Sequence, residues 1–208
     1  MWSDAIEAAD VAGRSTTAAL LPERPREALA VARKIRHPWY RCQALTLVSE
    51  AVSADADALR IVDEARHAAR EQVEPNRVVT VAMWPLRRLL ELRPQAAGDE
   101  VRSLTNIALS ERHGLRRLHA LDSLLATVVA YPTLRHIVAE PYLHAARLCY
   151  GWRAERIVAF RAEDIALHDP TLAHLLLADR QSNRFTDRAR RVIAALPRRD
   201  PPVDVESS

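Results

Sequence analysis

The chain of 208 residues is poor in glycine, with only four, at positions 13, 98, 114 and 151. Loops that hold phosphate groups need several closely spaced glycines, because the backbone must approach the phosphate closely. The chain therefore has no dinucleotide-binding or Walker-type loop, and it also has no G-x-S-x-G nucleophile elbow. The sequence therefore excludes three common kinds of enzyme site: the dinucleotide-binding loop, the Walker-type loop and the nucleophile elbow.

Long apolar runs and cysteines are also scarce. No apolar run approaches the ~18 residues that indicate a transmembrane helix. The first residues, MWSD, show no basic patch followed by an apolar core, so no signal peptide is predicted. Two cysteines, Cys42 and Cys149, cannot build a disulfide framework. We expect free thiols and a cytoplasmic protein.

Lysine is nearly absent, since Lys34 is the sole lysine and every other basic residue is arginine. Guanidinium groups make forked contacts with carboxylates and phosphates. The formal net charge of +3 is too small to indicate nucleic-acid binding by itself.

Apolar residues recur at the spacing of an amphipathic helix along most of the chain. Leu118, Leu121, Leu124, Leu125 and Val128 form one such stripe. Apolar stripes of this kind indicate helices packed on helices. The sequence therefore predicts an all-α fold.

The helix breaks repeat at a regular distance. Helical segments begin at Pro38, Pro75, Gly114 and Trp152, which lie about 38 residues apart, and repeats of such length are typical of stacked helical pairs. The segment RHPWYRCQAL that begins at Arg36 returns two periods later as RHGLRRLHAL, with Arg, His, Arg, Ala and Leu at the same offsets. This self-similarity predicts a stack of helical hairpins.

The predicted hairpins are 25–36 with 38–53, 55–73 with 75–93, 98–112 with 114–130, 132–150 with 152–167, and an incomplete pair 170–180 with 185–196. Helices at 3–12 and 16–21 would form an N-terminal cap within residues 1–22. The whole of 1–196 is then one helical-repeat domain, and 197–208 is a flexible tail. Pro85 and Pro141 fall inside predicted helices, which should kink there or end and restart.

This pattern resembles the α-solenoid repeat families, HEAT-like first and tetratricopeptide-like second. Gly98-Asp99-Glu100-Val101-Arg102 is similar to a HEAT helix start, as is a Pro opening a helix with Arg soon after. The tetratricopeptide signature of Trp, Gly, Tyr and Pro is absent. The resemblance implies a right-handed superhelical stack of about four to five antiparallel helical hairpins. A non-repetitive helical bundle is the alternative.

The candidate partner-binding residues lie just after the start of the second helix of each hairpin: Arg41, Arg77, Arg117, Arg156, Trp39 and Trp152. The arginines would form a ladder along the stack. That ladder either locks adjacent repeats through carboxylates and carbonyls or presents positive charge to a partner. The two tryptophans either pack between hairpins or serve as exposed anchors.

Two other clusters could carry chemistry. Asp164, His168 and His174 could supply a two-His, carboxylate metal site, although Asp169 could simply cap the helix that opens at Pro170. Cys42 could act as a nucleophile with His37, but a buried apolar role is the simpler interpretation. No catalytic residue, metal or cofactor is therefore assigned.

The sequence favours a non-catalytic helical-repeat module that binds a protein or peptide partner, possibly acidic, on its concave face. The alternative is a nucleic-acid-binding HEAT-like protein, or an enzyme acting on DNA, with the arginine ladder on phosphates. Steep salt dependence would indicate that alternative. No membrane association is expected.

Overall fold

A computed structural model describes the backbone of residues 4–197 and the side chains of residues 8–197. This part of the chain is entirely helical, without strands. The helices are α1 (Asp4–Leu20), α2 (Pro25–Lys34), α3 (Pro38–Ala51), α4 (Asp55–Arg70), α5 (Pro75–Leu92), a 3-10 turn (Pro94–Ala97), α6 (Gly98–Ser110), α7 (Gly114–Val128), α8 (Pro132–Leu148), α9 (Trp152–Ile165), α10 (Pro170–Ala178) and α11 (Arg184–Ala194). Among these helices, none combines the length and apolar character needed to cross a membrane.

The four repeated helix starts are confirmed, because α3, α5, α7 and α9 begin at Pro38, Pro75, Gly114 and Trp152. Proline suits the first helical position, since its missing N–H would have no partner there. Gly151 precedes α9 with φ of 100°, a conformation that side chains with a Cβ rarely adopt. The local sequence thus fixes where each of these helices starts.

Two expectations need correction. The N-terminal segment is one helix, α1, rather than separate helices at 3–12 and 16–21. Gly13 does not end it, because a glycine in the helical region costs only about 1 kcal/mol relative to alanine. Helices α5 and α8 run without interruption through Pro85 and Pro141, so neither ends and restarts. The predicted flexible tail falls, after Pro197, outside the described residues.

The chain divides into two compact units, Met1–Cys149 and Tyr150–Ser208. Within the described residues, the first unit holds α1–α8 and the second holds α9–α11. The division falls inside the predicted hairpin 132–150 with 152–167.

In the first unit each helix packs on the next one along the chain, and several also contact the helix two positions away. The contacts between α1 and α3, α3 and α5, and α5 and α7 join every second helix. Helices α5 and α7 contribute fully buried leucines to the core: Leu86, Leu118, Leu121, Leu124 and Leu125.

Ion pairs connect the other set of helices, α2, α4 and α6. Arg33 Nη2 of α2 lies 2.7 Å from Glu64 Oε1 of α4. Arg66 and Arg70 of α4 both pair with Glu100 of α6, whose side chain is 2% exposed. A buried carboxylate is costly unless it is paired, so both arginines fix the contact of α4 with α6.

The second unit is organised around α9, which packs against both α10 and α11. The Arg180 side chain is 4% exposed, and its Nη1 atom lies 2.6 Å from Glu155 Oε1. Asn183 starts α11 with a reciprocal capping box, in which its side chain accepts from Phe185 N and Thr186 N. This unit therefore has its own internal ion pair and its own helix cap.

Candidate functional site

The turns that precede α3 and α7 repeat the same arrangement. His37 Nδ1 accepts a hydrogen bond from Trp39 N at 3.2 Å, and His113 Nδ1 accepts from Arg116 N at 3.4 Å. Each histidine therefore serves as the N-cap of its helix, satisfying an N–H that lacks an intrahelical partner. The repeated Arg-His sequence thus supplies the N-cap that starts each of these helices.

The arginine four residues after each N-cap folds back onto the turn. Arg41 Nη1 donates to Ile35 O at 3.1 Å, and Arg117 Nη1 donates to Glu111 O at 3.4 Å. Arg135 occupies the same position after the start of α8 and donates to Val129 O at 2.7 Å. Sequence reasoning missed Arg135, although its distance from Pro132 could have indicated it.

A groove of about 670 Å³ crosses α1, α3, α5 and α7 in the first unit. Its lining contains two arginines, two histidines, one tryptophan, one tyrosine and three neutral polar side chains, and among the described residues it includes no carboxylate and no aliphatic side chain. The lining residues are Arg14, His37, Trp39, Tyr40, Gln43, Asn76, Arg77, Thr80 and His119. We call this the B-face groove.

The B-face groove is built from equivalent positions of successive repeats. Gln43, Thr80 and His119 each stand five residues after Pro38, Pro75 and Gly114 respectively, and all three line the groove. Trp39 and Asn76 also share one position, directly after the prolines. The repeat therefore places matching side chains on one surface, as expected when similar helices pack side by side.

At the groove, the Tyr40 ring contacts the Arg14 guanidinium and the His37 imidazole. The Arg14 guanidinium lies 5.7 Å from the Tyr40 ring centroid, and the His37 ring lies 5.1 Å from it. Arg14 Nη1 also donates to Gln43 Oε1 at 2.8 Å. These contacts limit side-chain freedom, so less entropy is lost when a ligand binds.

The tryptophans extend the groove along α3 and α5. Trp39 and Trp84 meet edge to face, with ring centroids 6.1 Å apart. Trp84 lines an adjoining cavity of about 240 Å³, and Arg14 and Gln43 line both that cavity and the groove. Glu50 also lines the adjoining cavity, so that cavity, unlike the described lining of the groove, includes a carboxylate.

Arg77 carries positive charge at the exposed rim. Its Nε atom lies 2.9 Å from Glu74 Oε2, and Glu74 Oε1 lies 3.6 Å from Arg116 Nη1. Side chains in this trio are 41–53% exposed. Exposed pairs of this kind contribute about 0–1 kcal/mol, so Arg77 can exchange Glu74 for a ligand carboxylate at little cost.

The candidate binding residues therefore fall into three groups. Trp39 and Arg77 line the B-face groove. Arg41 and Arg117 donate to carbonyls of their own turns, and Arg41 also pairs with Glu71. In the second unit, Arg156 lies 5.8 Å from the ring centroid of Trp152. The sequence did not assign the other groove residues, which are Arg14, Tyr40, Gln43, Asn76, Thr80 and His119.

The alternative chemical clusters have ordinary structural partners. Asp169 caps α10 by accepting from Leu172 N at 3.0 Å, and Asp164 pairs with Arg161. Residues 8–197 contain no group of three or more His, Cys, Asp or Glu side chains that could hold a metal ion. Burial raises the pKa of the Cys42 thiol to about 12, so this thiol stays protonated and unreactive near neutral pH.

Comparison with protein-family models, curated proteins and solved structures finds no match for this chain.

Proposed function

We propose that this chain is a helical-repeat module of the α-solenoid, HEAT-like kind, and that it binds an acidic segment of a partner protein in the B-face groove. The alternation of contacts supports the solenoid. Helices α1, α3, α5 and α7 touch in series, while ion pairs join α2 to α4 and α4 to α6. Two parallel rows of helices are what stacked hairpins generate.

The observation that carries the proposed function is the lining of the groove by equivalent positions of three hairpins. Such a surface extends along the direction in which the repeats stack, and it suits an extended chain. Gln43 and Asn76 carry amides that can bond to a peptide backbone. Trp39 and Tyr40 supply the amphipathic rings that are enriched at protein interfaces.

Charge selects an acidic partner. Arg14 and Arg77 carry positive charge at the groove, and among the described residues no carboxylate lines it. An acidic peptide would be attracted to such a surface, and a basic one would be repelled. The preference should weaken as salt is added, because exposed charges are screened.

Nucleic acid is the second candidate, since arginines also bind phosphates. Two of the four ladder arginines, Arg41 and Arg117, spend donors on backbone carbonyls. That engagement favours a structural role for them and leaves fewer donors for a run of phosphates. A protein segment is therefore the favoured ligand, and binding of an oligonucleotide is compared with it.

The test measures the fluorescence anisotropy of a short labelled peptide in which Glu alternates with Leu and Phe. We expect it to bind the full chain, and a peptide with Lys in place of Glu to bind much more weakly. Arg77→Glu should weaken binding of the acidic peptide by about tenfold or more, which corresponds to ~1.4 kcal/mol.

Arg102→Glu is the matched control. Arg102 also forms an exposed i,i+3 pair, with Asp99, and its side chain is 58% exposed against 53% for Arg77. It lies on α6, outside the groove, and its substitution should leave the affinity unchanged. Equal losses in the two variants, or tighter binding of an oligonucleotide than of the peptide, would refute the proposed function.

A further inference from the structure

The second unit exposes two large aromatic side chains on one helix. Trp152 and Phe160 of α9 are 58% and 45% exposed. Together with Arg156 they occupy positions i, i+4 and i+8, which lie on one face of a helix. We call Trp152, Arg156 and Phe160 the α9 stripe.

Arginine side chains stack on both rings of the α9 stripe. The guanidinium carbons of Arg153 and Arg156 lie 5.3 Å and 5.8 Å from the Trp152 ring centroid. Arg188 of α11 lies 5.4 Å from the Phe160 ring centroid. Stacking of this kind positions the guanidinium groups while leaving their donors directed outwards.

The cations of this surface are poorly neutralised. Within residues 8–197, neither Arg153 nor Arg156 forms an ion pair. Arg188 makes one long contact, 3.4 Å from Nη2 to Glu163 Oε2, and its side chain is 57% exposed. The surface thus combines exposed aromatic area with positive charge, and of its three arginines Arg188 forms an ion pair with Glu163.

We infer that the α9 stripe, with Arg153 and Arg188, is a docking surface for a protein segment that carries both acidic and apolar side chains. Carboxylates would bond to the stacked guanidinium groups, and apolar side chains would cover the exposed ring edges. Trp and Arg are the residue types most enriched among interface residues that dominate binding energy. The inference uses no residue of the B-face groove and stands independently of it.

Charge and ring geometry select this partner over two others. A second copy of the same stripe would bring like-charged guanidinium groups together, which is unfavourable. Single-stranded nucleic acid uses open aromatic faces for base stacking, but guanidinium groups already lie over the faces of Trp152 and Phe160. A peptide contacts ring edges and guanidinium donors without displacing these stacks.

The test uses the full chain with Arg77→Glu, so that binding to the groove is weakened and the stripe is intact. The probe is the labelled peptide in which Glu alternates with Leu and Phe, followed by anisotropy. We expect residual binding that Trp152→Ala and Phe160→Ala each weaken by about tenfold. Arg156→Glu should weaken it as well, and added salt should weaken binding to the unsubstituted stripe.

Leu175→Ala is the matched control, because Leu175 belongs to the same unit and is 44% exposed, against 45% for Phe160. It should leave the affinity unchanged. Circular dichroism must show equal helicity in all variants. Any of three results would overturn the inference: no peptide binding in the Arg77→Glu chain, equal losses in Phe160→Ala and Leu175→Ala, or preferential binding of an oligothymidylate strand.

Loss of a concentration-dependent dimer on Trp152→Ala, measured by sedimentation, would also overturn it in favour of self-association. Failure of the proposed groove function would look different. In that case Arg77→Glu would have no effect in the otherwise unaltered chain, whatever the stripe variants do.

Discussion

The turns before α3 and α7 share the same Arg, His and Arg residues, yet different carboxylates complete them. The turn before α3 uses Asp10 of α1, whose carboxylate accepts from Arg36 N at 3.1 Å and His37 N at 2.8 Å. The turn before α7 uses its own Glu111, which accepts from His113 N at 3.0 Å. The comparison shows that the repeated sequence specifies the helix cap, while the packing of α1 decides how the first of these turns is fixed.

The same two helices also differ in what they present at their starts. Trp39 and Tyr40 follow Pro38, whereas Leu115 and Arg116 follow Gly114. Only the aromatic pair lines the B-face groove. Equivalent backbones therefore carry different surfaces, and the end of the groove at α3 is the end that offers rings to a ligand.

The largest expected effect concerns the buried leucines that the two helices share. Leu45 of α3 and Leu121 of α7 occupy equivalent positions and are 2% and 0% exposed. Leu45→Ala and Leu121→Ala should each lower the free energy of unfolding by about 2–5 kcal/mol, because each leaves a cavity. Urea unfolding followed by circular dichroism measures this.

Leu109→Ala is the control for both leucine variants, since Leu109 is 42% exposed on α6. It should change the free energy of unfolding by less than about 0.5 kcal/mol. A loss of that small size in Leu121→Ala would show that α7 does not bury its apolar stripe between neighbouring helices.

A smaller effect should separate the two carboxylates. Asp10→Ala removes the acceptor of two backbone N–H groups, and Glu111→Ala removes the acceptor of one. Hydrogen bonds to a charged group such as a carboxylate contribute about 1.5–3 kcal/mol each. We therefore expect Asp10→Ala to destabilise the chain more than Glu111→Ala in the same urea assay.

Asp99→Ala serves as the surface control, because the Asp99 side chain is 94% exposed. It should have little effect. A larger loss in Glu111→Ala than in Asp10→Ala would contradict the view that α1 fixes the turn before α3.

The smallest expected effect concerns the far end of α3. Burial raises the pKa of Glu50, and the nearby charge of Glu91 raises it further, while Arg88 opposes both. The folded state therefore binds this proton more tightly than the unfolded state, so its contribution to stability is present at low pH and is lost as the pH rises through the raised pKa. The equivalent residue of α7 is Ala126, which has no such titration.

Glu50→Gln removes the cost of the charged form. At neutral pH it should stabilise the chain slightly, by less than about 0.5 kcal/mol, and it should flatten the loss of stability above the ordinary glutamate range. Urea unfolding across acidic and neutral pH measures both effects, with Glu23→Gln as an exposed control. A destabilised Glu50→Gln chain at neutral pH would contradict this account.

The helix starts were predictable because their causes are local. Proline at the first helical position, and glycine with φ of 100° before Trp152, act within a few residues of the break. The continuous path of α1 was not predicted, since one glycine lowers helix stability only modestly and the packing of α1 against α2 and α3 outweighs it.

Position in the repeat indicates only some of the residues that line the groove. Trp39 and Arg77 stand just after a helix start, and so do Arg41 and Arg117. Their positions along the chain are similar, but Arg41 turns back to Ile35 O and Arg77 lies at the groove. A reading of Gln43, Thr80 and His119 as equivalent positions could have identified the surface from the repeat alone.

By itself, the sequence determined an all-helical chain and the residues at which α3, α5, α7 and α9 begin. Those features follow from apolar periodicity and from backbone preferences that act over a few residues. Tertiary structure alone decided that Asp10 reaches the turn before α3, that Arg14 meets Tyr40, and that the chain forms two compact units. These contacts join residues far apart in the chain, and side-chain packing, which has no local sequence signature, selects among them.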